Sequence, residues 1–452
     1  MTKRDSEIGD AIRRLGADSV YFLLHQGWSG TLPSSSRHFA ACLAKYLPVV
    51  AVVPETGWPG RVSRLEPRIA NCRILKVVPN RGPVLGTLAQ IQTAQILDDM
   101  QRSGVKTPLL WLYDAGFAEA FAILPAQARV HHATENWFQR NDVAPDYIER
   151  LKFAASIADL NVAISNGCAL PLLPLVERGR LIVIPNGCDF AVYGDDVPPD
   201  PAVAALRGRF RRVGVFAGRI DKRLDFDLIA RTAEASPDTL LLFAGPVEPK
   251  ATTTEKFSAL LRRPNVRALG PVEPATLPAI YRAADFGFIP YVRDPYIAES
   301  AFPEQALEMA AAGLPVVCSM MRPLLALCPP LAVAETERDF LDAFARARRN
   351  HDMERALRRV AAAHDYNDQF ASIVTRLATI KRKEGTRFAQ LAACYPHVLV
   401  SEFHNLTRKS RYSLAVGGAL RHWVYGPITR FVDRLPMPAR DRAVRIKRVL
   451  LG

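Results

Sequence analysis

The chain has 452 residues, of which 49% are hydrophobic and 23% charged, and its formal net charge is +14. This composition is ordinary for a globular protein, and the length suffices for two or three domains. No apolar run approaches the roughly 20 residues of a membrane-spanning helix, and the first residues lack the apolar segment of a signal peptide. The seven cysteines include no Cys-x-x-Cys pair, which predicts reduced thiols in a cytosolic protein, without a disulfide framework or zinc site.

Short apolar runs alternate with segments of helical length along the first 190 residues. A capped helix is predicted over 34–47, after a loop rich in Gly, Ser and Pro. Strands separated by helix-length segments form parallel sheets with crossover helices. The predicted strands lie within 19–24, 48–55, 107–114, 128–137, 158–166 and 179–189.

The same alternation restarts after a polar stretch rich in Pro and Asp, "YGDDVPPDPAV", which is typical of a linker. The sequence therefore predicts an α/β protein of two doubly wound, Rossmann-like domains. The predicted bounds are 1–195 and 205–375, followed by a return helix and basic extension over 376–452. In such sheets, ligands bind at the carboxyl ends of the strands or in the cleft between domains.

The segment "FPEQALEMAAAGLPVV" (302–317) has the signals of a short helix that leads into a strand. Pro303 suits the first helical position, and Gly313 suits the left-handed residue that follows a helix. Glu304 and Glu308 are four residues apart and therefore share one face of this otherwise apolar helix. A helix apolar enough to be buried would not ordinarily carry two carboxylates.

Three segments of the second domain, in order, carry a family resemblance. They are "VGVFAGRIDKRLDFDLIARTAEASPDTLLLFAGPV", "NVRALGPVEPATLPAIYRAADFGFIPYV" and the helix above. Together they resemble the GT-B glycosyltransferases of the family 4-like (group 1) kind, over roughly Ser19 to Ile380. The first domain matches more loosely, and the likeness is greatest to members that build bacterial cell-surface polysaccharides. The resemblance implies a GT-B fold and a metal-independent transfer of a sugar from a nucleotide-sugar to an acceptor hydroxyl.

The resemblance also implies a donor site on the second domain. Glu308 matches the glutamate that binds the ribose hydroxyls, and the helix start at Pro303 faces the diphosphate. Gln305 stands where a variant form of the family has a lysine. Glu304 is either a donor contact or a carboxylate that favours a helix N-terminus.

Cations for the diphosphate are expected from the turn "AGRIDKR", which supplies Gly218 and the cations Arg219, Lys222 and Arg223. The resemblance implies the diphosphate contact for Arg219 and Lys222. Gly245 resembles the family's turn beside the nucleotide, although a plain strand-ending turn is the alternative. Each cation could equally be a solvated turn residue. The resemblance implies no metal ion and no cofactor besides the nucleotide-sugar, so we expect positioned cations and a helix dipole to stabilise the leaving group.

Acceptor-side residues are expected at strand ends of the first domain. The resemblance implies that Glu135 in "HHATENW" is the general base, with His132 as its rival. Asp114 either orients a sugar hydroxyl or caps the following helix. Gly27 and Gly30, in the first loop, are expected to approach the acceptor and the donor phosphates. No Gly-x-Gly-x-x-Gly fingerprint is present, which argues against a dinucleotide oxidoreductase.

The last 72 residues, from Lys381, contain 15 Lys and Arg against 4 Asp and Glu, interleaved with aromatic residues. This pattern predicts contact with an anionic membrane surface, with a tail packed on the enzyme as the alternative. Nucleic acid is not expected as a partner, because no RNA- or DNA-binding module accompanies the charge. The expected partners are a nucleotide-sugar and a glycan or lipid-linked acceptor, on the cytoplasmic side of the membrane. A nucleotide-sugar 2-epimerase and a non-catalytic assembly protein remain alternatives.

Overall fold

The structure, a computed structural model, describes residues 3–25, 28, 35–55, 62–80, 87–194, 197–383, 387 and 390. The first domain has an eight-stranded sheet of order β3-β4-β2-β1-β5-β6-β7-β8, which contains the six predicted strands and two that were not predicted, β3 and β4. All neighbours pair in parallel except β3, an edge strand that runs antiparallel to β4 and was not predicted from the sequence. The strands are β1 Ser19–Leu23, β2 Val49–Pro54, β3 Val62–Leu65, β4 Cys72–Val77, β5 Pro108–Leu112, β6 Ala128–Ala133, β7 Leu160–Ala163 and β8 Leu181–Val183.

The second domain has a six-stranded sheet of order β11-β10-β9-β12-β13-β14, parallel throughout. Its central strands are buried except for the half-buried Arg212 at the start of β9, because helices cover both faces of a parallel sheet. The prediction of two doubly wound domains is thus confirmed. The strands are β9 Arg212–Ala217, β10 Thr239–Ala244, β11 Val266–Gly270, β12 Phe286–Ile289, β13 Val316–Ser319 and β14 Ala332–Ala334.

Helices connect the strands and cover the sheets, as the spacing predicts. None of the described helices is both long and apolar enough to cross a bilayer. In chain order they are α1 Lys3–Leu15, α2 Ser35–Ala44, α3 Thr87–Arg102, α4 Ala118–Ile123, α5 Pro145–Ile157, α6 Asn166–Ala169, α7 Phe190–Gly194, α8 Pro201–Leu206, α9 Phe226–Ala235, α10 Ala251–Leu261, α11 Leu277–Ala283, α12 Pro295–Ser300, α13 Glu304–Ala311, α14 Glu337–Arg346, α15 His351–Ala362 and α16 Tyr366–Thr379.

Each sheet has one point where the chain reverses its direction of winding. In the first domain it lies between β1 and β5, and in the second between β9 and β12. At such a point the connections leave on opposite faces, which opens a crevice at the carboxyl ends of the two strands. The segments after these four strands are therefore placed to meet a ligand.

Helix α16 returns from the second domain to the first, where Tyr366, Phe370 and Ile373 pack in one apolar cluster with residues of α1 and α2. The return helix thus begins at Tyr366, ten residues before the predicted start of the C-terminal region at 376. The linker expected over 193–203 contains the end of α7 and the start of α8. The basic extension beyond residue 390 lies outside the described residues.

Candidate active site

A cavity of about 760 Å³ lies between the two domains and is lined by residues of both. Its size falls in the range of ordinary small-molecule sites, roughly 300–1,000 Å³. The first domain contributes the segments after β1, β5 and β6, and the second contributes the turns after β9 and β10 with the start of α13. The cavity therefore lies where the carboxyl ends of both sheets face each other.

Helix α13 brings its N-terminus to this cavity, since Pro303, Glu304 and Gln305 all line it. The helix begins at Glu304, and Pro303 is its N-cap instead of the predicted first helical residue. Gly313 follows the helix with a φ of +67°, the left-handed conformation predicted for it. The unpaired N–H groups of the first turn are thus presented to any anion in the cavity.

Glu308 lies one turn into α13 and lines the cavity, although only 4% of its surface is exposed. Burial, and then repulsion from Glu304, raises the pKa of Glu308 to about 8. The hydroxyl of Tyr281 lies 3.4 Å from Oε2 and donates to it. The hydroxyl of Tyr193 is a second hydrogen-bond partner of this carboxylate. A carboxylate in a cavity wall is suited to a ligand that donates hydrogen bonds.

Glu304 accepts a hydrogen bond of 2.8 Å from the backbone N–H of Ser35, the first residue of α2 in the opposite domain. Burial raises the pKa of Glu304 to about 7. The carboxylate thus lies between the N-termini of two helices, α13 and α2, and both favour negative charge. Glu304 therefore joins the two domains, a role that sequence reasoning did not anticipate.

The turns after β9 and β10 meet at two glycines. Gly218 has a φ of +149° and Gly245 a φ of +146°. A Cβ on Gly245 would lie 2.0 Å from the carbonyl oxygen of Gly218, so only glycine permits this approach. Both glycines line the cavity, as does the exposed side chain of Arg219. The amide of Gln305 is held nearby by the Tyr291 hydroxyl, 2.9 Å from its Nε2.

The structure does not bring Lys222 to the cavity wall. Its ammonium group lies 3.0 Å from the Asp142 carboxylate of the first domain, across the cleft. The neighbouring Arg223 lines the cavity instead, fixed by hydrogen bonds from its Nε and Nη2 to the Asp221 carboxylate and by the ring of Tyr291, 5.5 Å from its guanidinium carbon. Arg219 and Arg223 are thus the cations of this turn that can face an anion.

Glu135 lines the cavity, but its Oε2 already accepts hydrogen bonds from Tyr296 of the second domain and from Arg140. Arg140 also lies over the rings of Trp137 and Tyr296, at 4.7 and 5.5 Å from their centroids. These contacts hold the carboxylate where the domains meet. Its predicted role as the base stays a prediction.

His132 does not reach the cavity. Only 2% of its surface is exposed, its ring stacks on Tyr113, and its Nδ1 accepts the indole N–H of Trp111 at 3.3 Å. Burial lowers the pKa of His132 to about 3, so the ring is neutral. His132 is thus part of the aromatic core behind the wall, and the structure corrects its placement among the candidate bases.

Asp114 lies behind the wall and caps the short 3₁₀ helix 115–117, the alternative considered from the sequence. Its Oδ1 accepts from the Gly116 N–H and the Tyr147 hydroxyl, at 2.8 and 3.2 Å. Its Oδ2 lies 3.3 Å from Nδ1 of His25, which does line the cavity and was not singled out from the sequence. Gly27 and Gly30, the other acceptor-side candidates, lie outside the described residues.

Two further side chains of the first domain were not among the predicted site residues. Ser165 donates from its hydroxyl to the carbonyl of Ser300 at 2.8 Å, and the Asn186 amide donates to the carbonyl of Phe302 at 2.7 Å. Both bonds hold the backbone just before α13. They fix the position of the helix N-terminus relative to the opposite domain.

Comparisons with known proteins agree with this architecture. Three solved structures share the fold, at identities too low to indicate more. The Anabaena protein HepE in complex with UDP and glucose has a TM-score of 0.60 and 15% identity, and covers 80% of this chain and 100% of its own. Sucrose-phosphate synthase of Thermosynechococcus elongatus has a TM-score of 0.59 and 15% identity, with 80% and 98% coverage. A UDP-forming α,α-trehalose-phosphate synthase of Burkholderia xenovorans has a TM-score of 0.57 and 12% identity, with 80% and 99% coverage.

These matches and the two facing parallel-sheet domains establish that the chain has the GT-B fold, as predicted. Residues 211–350 match the family model described as glycosyl transferases group 1. This match lies within the second domain. Over 142 residues the chain is 35% identical to TuaH of Bacillus subtilis (strain 168), described as a teichuronic acid biosynthesis glycosyltransferase. That match covers 31% of this chain and 34% of TuaH, so the chain spans about a third of this curated relative.

Proposed function

We propose that this protein is a glycosyltransferase that moves a sugar from a nucleotide-sugar donor to an acceptor hydroxyl in the assembly of a cell-surface polysaccharide or glycolipid. The observation that carries the proposal is the convergence of the α13 N-terminus, the carboxylate of Glu308 and the glycine turns on one interdomain cavity. The group 1 domain, the likeness to TuaH and the UDP in HepE support it.

The donor lies against the second domain in this proposal. The diphosphate meets the N–H groups at the start of α13, together with Arg219 and Arg223, and Glu308 accepts from the ribose hydroxyls. Gly218 and Gly245 let the backbone approach the nucleotide without a Cβ in the way. Because cations and a helix terminus already face the leaving group, we propose that they stabilise its charge without a metal ion.

The acceptor enters from the first domain, and closure of the cleft excludes water from the donor. The pairs Lys222–Asp142 and Tyr296–Glu135 cross the cleft and favour the closed arrangement. Glu135 remains a proposed acceptor-side group, placed at this junction.

The first experiment measures thermal stabilisation by a panel of UDP-, GDP-, ADP- and TDP-sugars, repeated with Glu308→Ala. A ligand that binds the native state raises the melting temperature according to its occupancy. We expect one nucleotide class to raise it and the variant to lose most of that shift. Stabilisation by none of the four classes contradicts a donor site.

Product analysis then separates the transferase from other users of a nucleotide-sugar. A transferase releases nucleoside diphosphate and forms a glycoside with an added acceptor. Free epimerised donor in the absence of acceptor indicates a 2-epimerase. Binding without any turnover indicates a non-catalytic assembly protein.

We also propose that the enzyme works in the cytoplasm at the inner face of the membrane, attached through the basic segment from residue 381 onwards. The support is that this segment contains 15 Lys and Arg against 4 Asp and Glu, since each cation near an anionic leaflet contributes about 1 kcal/mol. Flotation with phosphatidylglycerol vesicles tests this proposal, with phosphatidylcholine vesicles as the control. Replacing Arg442, Arg445, Lys447 and Arg448 by Gln should weaken binding, and unchanged binding contradicts an electrostatic attachment.

A further inference from the structure

The ring of His25 is a second candidate for the proton-accepting group, and it lies at the winding reversal of the first domain. His25 comes two residues after β1, and Asp114 two residues after β5, the neighbouring strand. The backbone N–H groups of Tyr113 and Asp114 both donate to the carbonyl of Leu23, at 2.9 and 3.2 Å, so the two segments are fixed to each other. Such a point opens a crevice for a ligand.

The contacts of the ring orient it. Nδ1 of His25 lies 3.3 Å from Oδ2 of Asp114, whose other oxygen is held by Gly116 and Tyr147. A carboxylate so held accepts the Nδ1 hydrogen and thereby fixes the tautomer in which Nε2 carries the lone pair. The ring also lies 5.8 Å, centroid to centroid, from Trp137, and it lines the cavity.

The charges around the ring favour its protonation. Burial lowers the pKa of His25, but the attraction and hydrogen bond of Asp114, with smaller contributions from Glu135 and the Tyr113 carbonyl, leave the pKa above its ordinary value. Burial alone would raise the pKa of Asp114. The attraction of His25 and the hydrogen bond from the N–H of Gly116 outweigh burial, so the pKa lies below its ordinary value. Among the described residues, Tyr113, Tyr147 and, beyond Trp137, Arg140 are further titratable groups on this side.

We propose that His25, positioned by Asp114, is the catalytic residue that accepts the proton of the acceptor hydroxyl. This inference rests on the proposed glycosyl transfer. The acceptor O–H bond breaks and its proton moves to Nε2, while the acceptor oxygen forms a bond to the anomeric carbon. The bond from that carbon to the phosphate oxygen breaks, and its electron pair leaves with the nucleoside diphosphate. Glu135, already committed to Arg140 and Tyr296, then serves closure.

The first test measures nucleoside diphosphate release from the four nucleotide-sugar classes, with water and simple alkyl glycosides as acceptors. His25→Gln should lower the rate by at least about 100-fold, the scale of general base catalysis, while donor-induced thermal stabilisation persists. His351→Gln changes an exposed histidine at the start of α15 and is the matched control. A rate in His25→Gln within about threefold of wild type overturns the proposal.

The pH dependence of the rate shows whether Asp114 tunes the pKa of the base or has only a structural role. The base must be unprotonated, so the rate falls on the acid side of the pKa of His25. Asp114→Asn removes the larger charge contribution that raises this pKa and should move the acid limb to lower pH, whereas Glu135→Gln removes a smaller contribution and should move the limb less. If the acid limb of the pH profile moves in Glu135→Gln and not in Asp114→Asn, the base is Glu135 and the proposal is overturned.

A direct titration of the ring needs no substrate. In the full chain with ¹³C-labelled histidine, the His25 resonance is the one lost in His25→Gln, and its pKa should fall in Asp114→Asn. An unchanged pKa contradicts the pairing even if the enzyme transfers sugar. Wild-type protein that releases no diphosphate from any donor contradicts the proposed function itself, and the role of His25 with it.

Discussion

The two walls of the cavity are built by different means. On the second domain the wall includes a backbone part, which consists of two glycine turns in contact and the N-terminus of α13. On the first domain the wall is a set of side chains held by other side chains, such as His25 by Asp114 and Glu135 by Arg140. A nucleoside diphosphate is common to many sugar donors, and a fixed backbone can bind it. Acceptors differ between enzymes, and side chains can be exchanged without altering the fold.

The backbone wall depends on glycine, so the largest effect should come from Gly245→Ala. The new Cβ would lie 2.0 Å from the Gly218 carbonyl oxygen, at a φ of +146° that alanine disfavours. We expect the free energy of unfolding, measured in urea, to fall by about 3 kcal/mol or more. Donor-induced thermal stabilisation should be lost as well.

Gly104→Ala is the matched control for this prediction. Gly104 also has a positive φ, of +68°, but a Cβ there would meet nothing within 4 Å. The free energy of unfolding of Gly104→Ala should fall by only about 1 kcal/mol, the cost of the backbone conformation alone. Equal losses at both positions would mean that the contact between the two turns contributes nothing.

This contrast explains which parts of the site could be predicted from the sequence. Gly218, Gly245 and Gly313 stand in local motifs of strand, turn and helix, and each adopts a positive φ that such motifs require. The contact between His25 and Asp114 joins residues 89 positions apart and exists only because β1 and β5 are neighbours. The order of the strands along the chain does not show that β1 and β5 are neighbours in the sheet. The available signal was weaker, namely that each of the two polar residues follows closely on a buried strand.

Adjacent cations show a second limit of sequence reasoning. Lys222 and Arg223 are neighbours in one turn, and nothing in their order says which side chain faces the ligand. Asp142 of the other domain draws Lys222 outwards, and Asp221 with Tyr291 fixes Arg223 at the cavity. The outcome is set by tertiary contacts, as is the burial that places His132 in the aromatic core.

Two carboxylic acids in the donor wall predict a pH dependence of binding. Burial, first of all, raises the pKa of Glu304 to about 7 and that of Glu308 to about 8. The native state therefore holds protons that the unfolded chain has lost above its ordinary glutamate pKa near 4.5. Stability of the ligand-free protein should fall as the pH rises from about 5 to 8, and level off above that.

Donor binding should respond in the opposite direction, because the ionised carboxylate of Glu308 is the better acceptor for the ribose hydroxyls. Between pH 7 and 9 we expect the affinity to rise by about tenfold, the change in the ionised fraction of one group. Titration calorimetry across this range measures it. Glu308→Gln should flatten the dependence, while Glu255→Gln on the exposed face of α10 should retain it. A dependence that survives in Glu308→Gln assigns the proton to another group.

The smallest effect should come from the pair that joins the two walls at the surface. Lys222 and Asp142 are more than half exposed and 3.0 Å apart, so their attraction is screened by water and contributes little. Lys222→Ala should weaken donor affinity only about twofold, through a less favoured closed state, and added salt should remove the difference. Arg231→Ala breaks a comparably exposed pair, with Glu337, inside the second domain, and should leave affinity unchanged. A loss of tenfold or more in Lys222→Ala would instead mean that the lysine turns into the cavity and binds the diphosphate, as the sequence alone predicted.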